Sequence, residues 1–305
     1  MALDALTYSG HIESLEDLRT DPRLTFVKGD IRDAEAIQRL FETHDIDGVF
    51  HLAAESHVDR SIDSPMDFVT TNVQGTVTLL SAAERAWAGD ITKRFHHVST
   101  DEVFGALGRT GSFSETTPYN PRSPYAASKA ASDHFVRAWA ETYGLNVVLT
   151  NCTNNYGPYQ FPEKLIPVVI ERLRQGQTIP VYGDGQNVRD WLFVRDHCDA
   201  IVTVFENGLT GETYCIGGES ESSNLELVEK LCDLYDDLAG QAQGTSRRLI
   251  EFVTDRPGHD FRYAMDITKI RDKLGWTPSV EIDSGLRTTV SWYLQNQDWV
   301  DSVLS

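Results

Sequence analysis

FHHVSTDEVFG (residues 95–105), then NPRSPYAASK (120–129), then NVVLT (146–150) is the stretch that decides the fold. The run from Phe95 to Ser99 is short and β-rich, and so is Val147 to Asn151. Between them, Tyr125 to Tyr143 has the length of a helix, enters through Pro-rich sequence and stops at Gly144. Strand, helix, strand in this order is the unit of a parallel sheet.

The same alternation extends toward the N-terminus. Leu24 to Lys28 and Gly48 to Leu52 are candidate strands. Ala34 to Thr43 places Ile37, Leu40 and Phe41 on one helical face, with Asp33 as N-cap, and Thr70 to Ala88 predicts a longer helix. The fold class is therefore α/β: a doubly wound, Rossmann-like parallel sheet with a smaller α/β substrate-binding domain. The boundary falls between 154 and 155, giving 1–154 and 155–305, with about 192–216 returning to the large sheet. After Asn155 the texture changes, with Pro and Gly frequent, although Leu225 to Leu238 and Gly285 to Gln295 remain amphipathic.

A dinucleotide-binding sheet opens with a strand, a Gly-rich turn and a helix. Here Met1 leads at once into a run resembling the second strand of such a sheet, so the expectation is a start truncated by one strand-turn-helix unit. Gly105, Gly108 and Gly111 imitate the glycine fingerprint, but Pro118, Pro121 and Pro124 follow and forbid its helix; this is a loop.

The 305 residues carry a net charge of −19, which argues against nucleic acid or anionic lipid as a partner. Cys152, Cys198, Cys215 and Cys232 make no C-x-x-C and read as buried thiols of a reducing compartment. Neither a leader nor a membrane-length apolar run is visible, so a cytoplasmic protein is expected. His96 and His97 are strand neighbours facing opposite ways and cannot converge on one ion, and no metal is expected.

Chemistry concentrates at two places. Tyr125 and Lys129 are four apart on one helical face, where the ammonium is expected to lower the phenol's pKa and fit it for proton transfer. One element earlier, Thr100-Asp101-Glu102 follows a strand end, where two carboxyls can divide into an acid and a base.

The ordered motifs HLAAESHVDRSI (51–62), STDEVFG (99–105), YAASK (125–129), NNYGPYQFPEKLIP (154–167), GDGQNVRDWLFVRDH (183–197), ETYCIGG (212–218) and DRPGHDFRYAMD (255–266) span nearly the whole chain. Together they resemble the dTDP-glucose 4,6-dehydratases, extended short-chain dehydrogenase/reductases acting on nucleotide sugars. The acidic pair Asp101-Glu102 separates this branch from the sugar 4-epimerases, which share the Tyr/Lys pair.

The resemblance implies NAD as cofactor, dTDP-glucose as substrate and a homodimer built on the helices at 70–88 and 125–143. It implies that Tyr125, with Thr100 and Lys129, removes the 4-hydroxyl proton, Glu102 the C5 proton, and Asp101 protonates the departing 6-hydroxyl. Cofactor contacts are implied at Asp4, Thr7, Asp30, Ile31, Leu52, Ala53, Ala54, Ser56, Thr71, Tyr125, Lys129 and Asn155, with Glu55 in the same loop. Substrate contacts are implied at Ser56, Thr100, Asn154, Lys164, Leu165, Tyr182, Arg189, Asn224, Arg256 and His259, the two arginines as diphosphate clamps. A 4,6-dehydratase or 4-epimerase of another nucleotide sugar, or a non-catalytic binding homologue, stands beside this reading.

Overall fold

The computed structural model describes residues 1–255 and 259–305. In the first half, β1 (Ala2–Asp4), β2 (Phe26–Lys28), α1 (Ala34–Thr43) and β3 (Gly48–His51) are followed by short helices α2 (Val58–Asp63) and α3 (Pro65–Phe68). Then come α4 (Thr76–Trp87), β4 (Arg94–Thr100), α5 (Pro124–Tyr143), β5 (Val147–Cys152) and β6 (Asn154–Tyr156). The second half runs α6 (Leu165–Gln175), β7 (Ile179–Tyr182), β8 (Val188–Phe193), α7 (Val194–Asn207), β9 (Thr213–Ile216), β10 (Glu221–Ser223) and α8 (Asn224–Leu238). It closes with β11 (Ile250–Val253), α9 (Thr268–Leu274), α10 (Ile282–Gln295) and α11 (Gln297–Leu304).

The expected parallel sheet is present as two pieces. One is β3-β4-β5-β9, all parallel, with Phe95 opposite Val147 and Leu149 opposite Thr213. The other is β1-β2, also parallel. Among the described residues no strand stands between β1 and β3, and their facing edges line a cleft of about 830 Å³. β9 comes from the second half of the chain and lies beside β5.

Local chemistry explains the element ends. Asp33 Oδ1 accepts from the Ala36 N–H at 3.0 Å, capping α1, whose Ile37 and Phe41 are buried. Ser123 caps α5 by accepting from Ala126 N–H, Pro124 occupies its first turn, and Gly144 ends it at φ 68°. Apolar burial covers both faces of the sheet. Ile37, Leu80, Trp87, Phe95 and Leu149 form one cluster, and Val148, Ala200, Val204 and Ile216 belong to another. That is why Val147, Val148 and Leu149 open β5 without apolar–polar alternation, and five of its six residues are buried. A third cluster, around Ile166, Ile179, Leu227, Leu231 and Leu286, is the core of the C-terminal part.

Two expectations need correction. The helix predicted over 70–88 is regular only from Thr76, because Val69–Gly75 winds as a π-helical segment. Asn72 in that segment is drawn inward by tertiary hydrogen bonds, a situation in which π-turns recur near functional sites. Cys198 is exposed rather than buried, because it sits on the outer face of α7. Cys152 is half-buried, and Cys215 and Cys232 lie in the core.

Candidate active site

β4 delivers the first chemical group. Its last residue, Thr100, caps the short 3-10 turn Asp101–Phe104 by accepting from the Glu102 N–H at 3.3 Å. The turn brings Asp101 under cover, with 3 % of its surface exposed. Thr100 Oγ1 donates to Asp101 Oδ1 at 3.2 Å. Asp101 Oδ2 is buried and has no hydrogen-bond partner among the described residues. Burial, and then the Glu102 carboxylate beside it, push the Asp101 carboxyl well above the usual carboxylate range. A shift in this direction favours the protonated form more than in a free carboxyl.

The first turns of α5 supply Tyr125 and Lys129, both buried. The expected lowering of the phenol does not occur in the chain alone. Burial first and Glu102 second hold Tyr125 well above its ordinary value, and the Thr100 hydroxyl beside it acts in the opposite direction. The physical reason is visible in the lysine. Lys129 Nζ donates to the Val98 carbonyl at 2.8 Å, satisfying its buried ammonium on the end of β4.

A second set of residues holds this arrangement in place. Asn72, 1 % exposed, accepts from the Glu55 N–H at 2.8 Å and donates to the Glu55 carbonyl at 2.9 Å. Its amide also donates to Ser128 Oγ at 2.8 Å, tying the loop after β3 to α5. Asn151 on β5 donates to the Thr100 carbonyl at 3.0 Å. Neither asparagine was singled out from the sequence. The only signal available was Asn72's place on the inner face of a helix otherwise rich in small and apolar residues.

The cleft between β1 and β3 gathers most of the residues expected at a dinucleotide. Asp4, Thr7, Asp30, Ile31, Leu52, Ala53, Ala54 and Thr71 all line it, with Glu55. Asp4 sits at the strand end, its Oδ1 accepting from the Leu6 N–H at 2.7 Å. Asp30 is held below the usual carboxylate range by its bidentate pair with Arg32, partly offset by burial. Ser56 lies farther along, its carbonyl accepting from Lys164 Nζ at 3.0 Å. Asn155 begins on the other side, donating to the Thr153 carbonyl, with its own Oδ1 buried and unpartnered among the described residues. Glu55 Oε2 is likewise a buried acceptor without a partner there.

The residues expected at the substrate come from three places. Asn154 stands on β6 and Leu165 opens α6 beside Lys164. Tyr182 ends β7 and is exposed. Arg189 on β8 is 5 % exposed, lies 4.4 Å above the Tyr263 ring, and donates to the carbonyls of Val188, Asp260 and Phe261. It is close enough to Asp101 to oppose the rise of that carboxyl. Asn224 opens α8, its N–H bonded to the Asn187 carbonyl. His259 Nδ1 meets Asp255 Oδ1 at 2.7 Å, so this histidine is anchored to its own loop. Arg256 lies outside the described residues.

A Rossmann-type sheet whose strand end carries Thr-Asp-Glu beside a buried Tyr/Lys helix defines a short-chain dehydrogenase/reductase. A family model described as GDP-mannose 4,6 dehydratase matches residues 1–289. The dTDP-glucose 4,6-dehydratase of Xanthomonas campestris pv. campestris is 55 % identical over 308 residues, covering 99 % of this chain and 88 % of the relative. The crystal structure of DesIV, a dTDP-glucose 4,6-dehydratase from Streptomyces venezuelae with NAD and TYD bound, superposes with a TM-score of 0.90. Its identity is 48 %, covering 99 % of this chain and 89 % of that one. The UDP-glucose 4-epimerase of Thermotoga maritima shares the fold at a TM-score of 0.85 with 28 % identity, over 97 % and 90 % of the two chains. The chain belongs to the 4,6-dehydratase family, and within it to the dTDP-glucose 4,6-dehydratases.

Proposed function

We propose that the chain converts dTDP-glucose to the 4-keto-6-deoxy sugar with release of water, using NAD, as a step in deoxysugar (rhamnose-type) nucleotide-sugar synthesis. The observation that carries this reading is the Asp101 carboxyl, buried beside Glu102 at the end of β4 and raised by that burial well above the usual carboxylate range. A 4-epimerase needs only proton exchange at one hydroxyl; elimination needs a further acid and base.

The lining of the β1–β3 cleft fits NAD. Asp4 at the strand end suits ribose hydroxyls and repels a 2′-phosphate, and Ala53 and Ala54 let the backbone come close. Asp4, Thr7, Asp30, Ile31, Leu52, Ala53, Ala54, Ser56, Thr71 and Asn155 would hold it, with Tyr125 and Lys129 at its reactive end. When bound, NAD would supply the acceptor for the C4 hydride and its donor to C6. The remaining work falls to side chains. Tyr125 is a neutral phenol in the chain alone; the positive charges of bound NAD+ and Lys129 would favour its phenolate, which, beside Thr100, would accept the 4-hydroxyl proton. The resulting ketone acidifies C5, and Glu102 removes that proton. Asp101 delivers its proton to the 6-hydroxyl oxygen, which leaves as water, and C5 takes a proton back when C6 has received the hydride. Ser56 and Thr100 are proposed substrate contacts, and Asn154, Lys164, Leu165, Tyr182, Arg189, Asn224, Arg256 and His259 the proposed nucleotide-diphosphate contacts.

We further propose two domains, 1–154 for the cofactor and 155–305 for the substrate, and a homodimer in the cytoplasm. Exposed Phe135 and Tyr143 on α5 support the dimer, since these apolar groups lie on a helix proposed to pair, and exposed Met66 and Val69 lie just before the other. Among the described residues no helix is long and apolar enough to cross a membrane.

The test is turnover with added NAD+, comparing dTDP-glucose with UDP-glucose and GDP-mannose. Product from dTDP-glucose alone is expected. Preference for another sugar overturns the substrate, and no product from any of them overturns the activity.

A further inference from the structure

Asp133, two turns beyond Tyr125 and one beyond Lys129 on α5, is entirely buried. Its carboxylate accepts from Ser99 Oγ at 2.9 Å and Tyr119 OH at 2.8 Å, and lies 3.1 Å from His97 Nε2. The Asn151 amide approaches at 3.4 Å. These partners come from β4, β5 and the loop before α5, so the carboxylate is the point where three elements meet. An isolated buried charge of this kind is costly unless it balances another. The buried charge within its reach, one helical turn away, is the Lys129 ammonium, whose Nζ is bonded to a neutral carbonyl.

We propose that Asp133 is the counter-charge that keeps Lys129 an ammonium inside the site, and is thus a positioning residue acting on Tyr125 through Lys129. The inference rests on the reading of Tyr125 and Lys129 given above. The surrounding titratable groups agree with it. His97 on β4 is pushed down to about 4, by burial first and then by Lys129, and His51 on β3 is pushed well down by burial, His97 and Lys129. Both are neutral at pH 7, so neither supplies the missing charge. Cys152 on β5 is raised to about 12 by burial and is a neutral thiol. Tyr119 is raised far beyond neutral pH, by burial first and Asp133 second, while Arg137 bonds to its hydroxyl rather than to Asp133. Tyr125 itself is a neutral phenol in the chain alone. Burial raises the Asp133 carboxyl, but His97, Lys129 and Ser99 outweigh this and hold it ionised. Burial lowers Lys129, and Asp133 works against that lowering.

A proton titration read by NMR tests this without any turnover. The 15Nζ signal of Lys129, assigned by its loss in Lys129→Met, is followed against pH in the wild type, in Asp133→Asn and in Tyr119→Phe. Asp133→Asn is expected to move proton loss from Lys129 to lower pH, and to bring down the alkaline limb of kcat/KM with it. Tyr119→Phe breaks one hydrogen bond but leaves the charge, so it should lower stability and leave the titration where it was. The effect is reciprocal: in Lys129→Met the 13C-carboxyl titration of Asp133 should move to higher pH. A Lys129 titration unchanged in Asp133→Asn overturns the proposal. If that variant does not fold, an Asp133 titration unmoved in Lys129→Met, or an Asp133 protonated at pH 7 in the wild type, overturns it equally. An enzyme inactive on every sugar but with these shifts intact would count against the catalytic reading alone.

Discussion

Thr100 Oγ1 stands 3.2 Å from Asp101 Oδ1, and the other oxygen of that buried carboxyl meets no donor among the described residues. One oxygen of the carboxyl is fixed by this hydroxyl, and the proposed elimination uses the other. Asp101→Asn keeps the shape and removes the proton. It is expected to leave C4 oxidation intact while slowing loss of water by about 10²–10⁴-fold, the usual size of a general-acid contribution. Rapid-quench analysis that finds the 4-ketone of the intact sugar accumulating would agree. Oxidation and elimination slowed equally would show that the division of roles is wrong.

Tyr125→Phe removes the phenolic oxygen and little volume from a buried position. It is expected to abolish oxidation at C4, so that no reduced cofactor appears at 340 nm in a single turnover. A reduced-cofactor signal of wild-type size would exclude Tyr125 as the base.

Asn72→Ala removes three hydrogen bonds joining the Glu55 loop to α5. Two backbone groups of Glu55 lose their partner in a largely buried place, while the Ser128 hydroxyl keeps its bond to the Tyr125 carbonyl. The expected cost is about 2–4 kcal/mol, read as a lower denaturant midpoint, together with weaker NAD binding by calorimetry. Unchanged NAD affinity would separate this clamp from the cofactor loop.

How much of this was legible beforehand differs by residue. The α5 helix was readable because its determinants are local: Ser123 and Pro124 at one end, Gly144 at the other. The cap at Asp33 was equally local. The π-segment was not, because it answers to Asn72 bonds made with residues on other elements. β7, β8, β10 and β11 went unread for a related reason. They are short, sit among Pro and Gly, and take their pairing from partners distant in sequence, such as Ile250 with Ile179. The Tyr125/Lys129 pair was found by its spacing, but the direction in which the ammonium points was set by the carbonyl of Val98. Asp133 carries the same four-residue spacing, yet its meaning lies in partners from β4, β5 and the loop at Tyr119.

The buried histidines make stability depend on pH. His97 is held at about 4 in the fold, by burial first, against 6.5 for the free side chain. His96, at about 3, and His197, at about 4, are lowered by the same cause. Each folded-state pKa is depressed, so the unfolded chain binds more protons below pH 6.5 and stability is lost as pH falls toward 4. His97 alone accounts for about 3 kcal/mol. Melting temperatures should be flat above pH 7 and fall steeply between 6 and 4. A profile flat down to pH 4 would contradict the burial of these neutral rings.

The most direct measurement is the reaction of dTDP-glucose and NAD+ run in 2H2O and followed by NMR. Removal of the C5 proton by Glu102 and its replacement from solvent predict a 4-keto-6-deoxy product with one deuterium at C5. An epimerised sugar with its 6-hydroxyl intact, or a product that keeps protium at C5, would contradict the account.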